Sequence, residues 1–118
     1  MVEFKLVISN PEDGTSKALN VKDEMAQIFI GLKIGDHVDG EVFGHPGKKL
    51  VITGGSDKSG IPMRPDIPGG AKKYILLSGP PGYHPKRKGE RRRKLVRGNM
   101  ITEDIVQINL VLKEEKNG

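Results

Sequence analysis

Hydrophobic and polar residues alternate at both ends of the chain. Near the start, Val2, Phe4, Leu6 and Ile8 occupy every second position, with Glu3 and Lys5 between them, and a second series at this spacing lies near the end (Val106, Ile108, Leu110 and Leu112). A period of two residues is typical of a strand that buries one face. The turn-forming residues at 10–14 then predict a hairpin whose return strand covers 15–21.

The middle of the chain holds shorter apolar segments, which predict strands at 38–43, 50–53 and 74–78. Asp23 is a suitable helix cap, and an apolar stripe of Met25, Ile28, Phe29 and Leu32 follows it at helical spacing. We therefore expect a mainly β fold, a small and mostly antiparallel β-barrel with one short helix and a basic loop, in a single domain over residues 1–118.

The composition predicts a long irregular segment and excludes several classes of protein. The 118 residues include 16 Gly and 8 Pro, many of them in a predicted loop at 54–72. The chain has no Cys and therefore no disulfide or thiolate metal site. It also has neither an apolar run of about 18 residues nor an N-terminal signal pattern, so we expect no membrane partner and a location inside the cell.

The net charge of +5 is unevenly distributed. Residues 86–97 hold eight of the 20 Lys and Arg residues but one acid, Glu90, whereas the rest of the chain holds 12 basic and 14 acidic residues. The chain is thus a nearly neutral domain with one dense cationic segment. Such a segment repels itself unless a polyanion is present.

The residue types that catalysis would require, such as His, Asp and Glu, do not occur in a catalytic arrangement. The three His residues (37, 45 and 84) show no metal-ligand spacing, and Asp39 and Glu41 are more simply explained as a solvated strand face. The sequence at Gly54–Lys58 lacks the spacing of a nucleotide-binding loop, although backbone amides of Gly54, Gly55 and Gly60 suit a phosphate. We expect no catalytic residue, metal, cofactor or small-molecule substrate.

The basic segment is the strongest functional signal. We predict an RNA-binding arm over residues 79–94, in which Arg forms forked hydrogen bonds with phosphate and Lys adds point charge. Tyr83 and His84 are suited to stacking on unpaired bases. The alternatives are a solubilising charge run or a basic address signal. The run continues directly into Leu95 and Val96, however, and this favours a segment that belongs to the fold.

Two blocks of sequence resemble a known family. They are Arg92-Arg-Lys-Leu-Val-Arg-Gly-Asn-Met-Ile101, which leads into Val106–Leu112, and Gly54-Gly-Ser-Asp-Lys-Ser-Gly-Ile-Pro-Met-Arg64. With the opening strand Phe4–Ser9, they resemble small ribosomal subunit protein six of the eukaryotic and archaeal type, over roughly residues 4–113. Eukaryotic members continue into a long basic tail with regulatory serines. This chain has no such tail and resembles an archaeal-length member.

The resemblance implies a structural component of the small ribosomal subunit, located on cytoplasmic ribosomes, that supports translation. Its implied partners are small-subunit ribosomal RNA and neighbouring ribosomal proteins. The implied RNA contacts are Lys86, Arg87, Lys88, Arg91, Arg92, Arg93, Lys94 and Arg97, with Lys58 and Arg64 as second-rank candidates. Three alternatives stay open, namely a free-standing nucleic-acid-binding β-barrel of a translation factor, an enzyme and a protein-interaction barrel.

Overall fold

The main body of the protein is a five-stranded sheet. The computed structural model describes residues 3–77, 86, 89 and 91–114, with the backbone but not the side chains of Leu77 and Arg92. The strands lie in the order β2–β1–β7–β4–β3. Their bounds are β1 Glu3–Asn10, β2 Thr15–Lys22, β3 His37–Asp39, β4 Lys48–Asp57 and β7 Ile105–Glu114. β1 runs parallel to β7, and the other neighbours are antiparallel.

The two terminal patterns form strands, as predicted, and these strands, β1 and β7, lie next to each other inside the sheet. Phe4, Leu6 and Ile8 of β1 are buried, as are Ile108 and Leu110 of β7. The β1–β2 turn is closed by the Gly14 N–H, which donates to the Asn10 carbonyl at 2.9 Å, and Gly14 takes the positive φ of +71° that the turn requires. The predicted hairpin is therefore confirmed.

One face of the sheet carries the main core. Leu50 and Ile52 of β4 and Ile101 join the buried residues of β1 and β7. Phe29 packs against Phe4 with ring centroids 6.4 Å apart in an edge-to-face arrangement. Most of the other buried residues of this core are aliphatic.

The helix is shorter than the apolar stripe suggested. α1 covers Asp23–Gln27, and its N-cap is Lys22 rather than Asp23. Met25 and Ile28 are exposed, whereas Phe29 is buried just beyond the helix. The stripe was a misleading signal because the chain leaves the helical path after one turn.

The prediction of a closed barrel is wrong. Within the described residues, β2 and β3 are the outermost strands of the five-stranded sheet and do not pair with each other. The predicted strand at 38–43 supplies only β3, because residues Gly40–Phe43 form a 3-10 helix. Gly40 is buried there, where an added Cβ would approach the Lys48 and His45 carbonyls at 2.6 and 2.8 Å. The edge strand therefore turns away before it can complete a barrel.

The remaining strands, β5 (Lys72–Leu77) and β6 (Arg92–Arg97), form a separate antiparallel pair, here called the cationic hairpin. The predicted loop at 54–72 overlaps both sheets, since β4 continues to Asp57 and β5 begins at Lys72. The irregular part is residues 58–71, here called the connecting segment. It joins β4 of the main sheet to the cationic hairpin.

Candidate nucleic-acid interface

Positive charge is concentrated in the cationic hairpin. Six of its twelve residues are Lys or Arg and none is acidic. Lys72, Lys73 and Arg93 are exposed, as are Arg91 just before β6 and Lys86. Residues 92–94 of the predicted basic arm therefore lie in a strand, where Arg93 is opposite Leu76 and Lys94 is opposite Ile75 of β5.

The hairpin has an inner and an outer face, which alternate along each strand. On the inner face, Val96 is buried with Ile67 of the connecting segment, and Ile75 packs against them in a small second core. In the cross-strand register, Tyr74 lies opposite Leu95, and Leu76 lies opposite Arg93. Tyr74, Leu76, Leu95 and Arg93 consequently share the outer face.

Arg97, at the end of β6, lies at the junction of the two sheets. Its Nε donates to Asp57 Oδ2 at 2.7 Å, and the two side chains are only 7% and 2% exposed. An Nη1 group of the same guanidinium donates to the Gly70 carbonyl at 3.0 Å. Asp104, which is exposed, lies 3.7 Å from Nη2. The Arg97 charge is thus neutralised inside the protein.

Asp57 is held in its ionised form. Burial on its own would raise the pKa of this carboxyl, but the hydrogen bond from Arg97 opposes that effect. Its other oxygen, Oδ1, accepts hydrogen bonds from the Ser59 and Ile61 N–H groups, each at 2.9 Å. Together these interactions keep the Asp57 pKa below its ordinary value of 3.8.

The connecting segment is fastened to the end of β6 by backbone hydrogen bonds. The Arg97 N–H donates to Pro62, and the Arg64 N–H donates back to Arg97, each at 2.9 Å. Asn99 N–H likewise donates to the Ile67 carbonyl at 2.7 Å. The Met63 N–H donates to the Gly55 carbonyl of β4 at 3.0 Å, and the Met63 side chain is buried in the main core. The connecting segment therefore joins the hairpin to the main sheet.

Gly98 is required by the closeness of these two segments. A Cβ at this position would overlap the Gly69 carbonyl oxygen. A glycine is therefore required here by the lack of space rather than by a positive φ.

The two second-rank candidates lie at different places. Lys58 is exposed in the turn that follows β4. Arg64 forms a two-point ion pair with Asp66, with Nε to Oδ1 at 2.9 Å and Nη2 to Oδ2 at 3.2 Å. The Arg64 charge is therefore neutralised by Asp66, and its side chain is only 14% exposed. The amide of Gly60 donates to the Asp57 carbonyl, so it is already engaged in the turn.

The structure brings only part of the predicted contact set together. Arg91, Arg93 and Lys94 lie along or just before β6, with Lys94 half-buried, while Arg97 is internal. Arg92 lies in β6, but its side chain is outside the described residues. Tyr83, His84, Arg87 and Lys88 also lie outside the described residues.

Sequence reasoning missed three residues of this surface. Lys72, Lys73 and Tyr74 are exposed on β5, in register with Arg97, Val96 and Leu95 of β6. The apolar run after them marked β5 as a strand but not as the partner of the basic segment. A β5–β6 hairpin, suggested by the Gly-Pro-Pro-Gly break between the two strands, would have placed both lysines on the strand that pairs with the basic segment.

Across the described ranges, no three His, Asp or Glu side chains come together as a metal site. The same residues include no helix long and apolar enough to span a membrane.

Comparison with known proteins gives a consistent class. The family model described as ribosomal protein S6e matches residues 4–118. A relative from Staphylothermus marinus is 62% identical over 95 residues, which are 80% of this chain and 44% of that protein. Relatives from Pyrobaculum islandicum and Pyrobaculum aerophilum are 53% and 51% identical, covering 95% and 99% of this chain and 79% and 82% of their own. All three are named small ribosomal subunit protein eS6.

These matches are to ribosomal proteins of the small subunit, a class of structural and not catalytic proteins. The chain belongs to the ribosomal protein S6e family. It spans less than half the length of the Staphylothermus relative and about four fifths of the two Pyrobaculum relatives. The resemblance deduced from the two sequence blocks is confirmed.

Proposed function

We propose that this chain is a structural constituent of the small ribosomal subunit and binds ribosomal RNA through the cationic hairpin and the basic residues that precede it. Its family consists of ribosomal proteins, and its relatives carry the name of a small-subunit component. In that setting its partners are small-subunit ribosomal RNA and neighbouring ribosomal proteins.

One observation carries the RNA-binding part of the proposal. Half of the hairpin residues are basic and none is acidic, although the chain outside residues 86–97 has more acidic than basic residues. A concentrated cationic surface on a nearly neutral domain is what phosphate binding requires, because binding releases counterions from the RNA.

The arrangement suggests rigid docking for part of this surface. Arg93 and Lys94 are fixed by the β5–β6 register, and the hairpin is fixed to the main sheet through Arg97 and Asp57. A guanidinium held on a strand loses less conformational freedom on binding phosphate than one on a free chain. Arg97 is left out of the proposed contacts because Asp57 already neutralises it.

The first test is the salt dependence of binding to small-subunit ribosomal RNA. Five exposed cations belong to this region in the described residues: Lys72, Lys73, Lys86, Arg91 and Arg93. If all five contact phosphates, the slope of log affinity against log salt should be about −3.5 to −4.5. Replacing Arg91, Arg92 and Arg93 with Glu should abolish RNA retention while the thermal unfolding midpoint stays close to that of the wild type.

A matched control is the triple replacement of Lys5, Lys17 and Lys113 with Glu. These exposed lysines lie on β1, β2 and β7, and the change in net charge is the same. The control should weaken RNA binding far less than the arginine triple. Equal losses in both triples would show that total charge, and not this surface, governs binding.

Sedimentation of the tagged chain from its native cells separates the proposal from its alternative. Co-migration with the small subunit at low salt, and release at high salt, is the expected result. A chain that stays at the top of the gradient at low salt would instead indicate a free-standing nucleic-acid-binding module.

A further inference from the structure

The outer face of the cationic hairpin exposes an aromatic ring that no structural role explains. Tyr74 is 68% exposed and Leu76 is 60% exposed, the two highest values among the large hydrophobic side chains of the described part. The three Phe residues, by contrast, lie in or against the main core. Tyr74 is therefore the exposed aromatic of the described residues.

The surroundings of this ring are cationic. Lys72 precedes it by two residues on the same strand face, and Arg93 lies diagonally across from it, opposite Leu76. Diagonal neighbours on one face of an antiparallel pair are about 7–8 Å apart, within reach of an arginine side chain. A partner of this face must accept both an aromatic surface and positive charge.

An unpaired nucleotide has both properties. Its base offers a flat face to the Tyr74 ring, and its phosphate accepts the forked hydrogen bonds of Arg93. An apolar protein surface would match Tyr74 and Leu76 but would leave the cations without counter-charge.

We propose that Tyr74 is a stacking platform for an unpaired base of RNA, with Leu76 extending the apolar contact and Arg93 binding the adjoining phosphate. This inference rests on the proposed function, since it names the form of RNA that the same surface binds. It gives the cationic hairpin a preference for single-stranded or looped RNA over a continuous duplex.

The test compares a single-stranded RNA with a duplex of the same length, each titrated with wild-type chain and with Tyr74→Ala. Removing one stacking contact should weaken single-strand binding by about 5- to 150-fold. Duplex binding should change by less than about twofold, because paired bases in A-form RNA leave no free face to stack. The salt slope should be unchanged for Tyr74→Ala, but smaller in magnitude by about 0.7 for Arg93→Gln on the single strand.

Two conservative variants distinguish stacking from simple apolar contact. Tyr74→Phe keeps the ring and should retain wild-type affinity within about threefold, whereas Tyr74→Leu should behave like Tyr74→Ala, because only an aromatic face stacks on a base. Val42→Ala is the matched control, since Val42 is an exposed apolar residue outside the hairpin, and it should change neither affinity. Thermal unfolding of each variant checks that the fold is intact.

The outcomes separate this inference from the proposed function. A wild-type chain that binds neither RNA overturns both. If the wild type binds RNA with the expected salt slope and Tyr74→Ala binds the single strand with the same affinity, the stacking role alone is overturned. If Tyr74→Ala binds RNA normally but no longer co-sediments with the small subunit, the face contacts a protein and the inference is wrong.

Discussion

Replacement of Asp57 by Asn removes the buried counter-charge of the Arg97 guanidinium and leaves the exposed Asp104, 3.7 Å from Nη2, as its acidic neighbour. In the wild type, one Asp57 oxygen accepts from Arg97, and the other accepts from the Ser59 and Ile61 N–H groups. An amide has a single acceptor oxygen and presents N–H donors on its other side. The variant therefore loses one of these two sets of hydrogen bonds and leaves a positive charge buried.

The expected cost follows from the burial of the pair. Removing one partner of a buried ion pair costs about 3–5 kcal/mol, and we expect about 3 kcal/mol because Asn keeps one acceptor. For a domain of this size, 1 kcal/mol corresponds to roughly 4 °C in the unfolding midpoint. Asp57→Asn should therefore lower the midpoint by about 12 °C.

The assay is thermal and urea unfolding, with Asp66→Asn as the matched control. Asp66 also pairs with an arginine of the connecting segment, Arg64, but is 60% exposed. An exposed pair contributes at most about 1 kcal/mol, so the control should lose no more than about 4 °C. Equal small losses in the two variants would refute the reasoning.

A double-mutant cycle with Arg97→Gln tests the coupling directly. Each single replacement leaves a buried charge without its counter-charge, whereas the double variant leaves neither charge. The double variant should consequently be less destabilised than the sum of the two single variants. Strict additivity would mean that the two groups act independently, despite the 2.7 Å between them.

Two further predictions concern stability. Because the Asp57 pKa is lowered in the folded state, its stabilising contribution is complete above its ordinary value of 3.8 and is lost as the pH falls through the lower folded value; the difference between the wild-type and Asp57→Asn stability curves should shrink over that acidic range. Gly98→Ala should cost about 1–3 kcal/mol in urea unfolding, since its Cβ would overlap the Gly69 carbonyl oxygen. Gly54→Ala, whose Cβ would meet only Asn109 Nδ2 at 3.9 Å, is its control and should cost less than about 1 kcal/mol.

The strands of the main sheet could be predicted where one face is buried and the other is not. This holds for β1 and β7, whose alternation is plain in the sequence. β4 was predicted as 50–53 but runs from Lys48 to Asp57. The Gly-rich pattern places Gly54 and Gly55 in a loop, yet they continue the strand at a register shift, where a Cβ on Gly55 would overlap the Gln107 carbonyl oxygen. A local pattern cannot reveal that a glycine is required by a neighbouring strand.

Closure of the sheet could not be predicted for a related reason. Strand count and turn spacing suit a barrel and an open sheet equally, because both bury alternate residues of each strand. The difference depends on where the edge strands go. Here the 3-10 helix at Gly40–Phe43 ends β3 after three residues, and a second sheet forms from β5 and β6.

The candidate site was predicted in its charge but not in its geometry. The basic run is visible in any count of residues, yet Arg97 and its exposed neighbours look alike in sequence. Asp57 is 40 residues away, and only the packing of the connecting segment brings it to Arg97. The sequence places Tyr74 in an apolar strand but does not reveal its exposure, because that depends on which face of the hairpin is directed outward.

The distribution of buried and exposed residues within β6 argues against a simple solubilising charge run. Such a run would be solvated along its whole length, without inward-facing residues. In β6, Val96 is buried in the second core and Arg97 forms an internal ion pair, while Arg93 is exposed between them and the basic arm. The same strand thus anchors the hairpin through Val96 and Arg97 at its end and exposes Arg93 nearer its start. A segment built in this way fixes the position of Arg93 relative to the main sheet, which supports the proposed docking onto the phosphates of a polyanion.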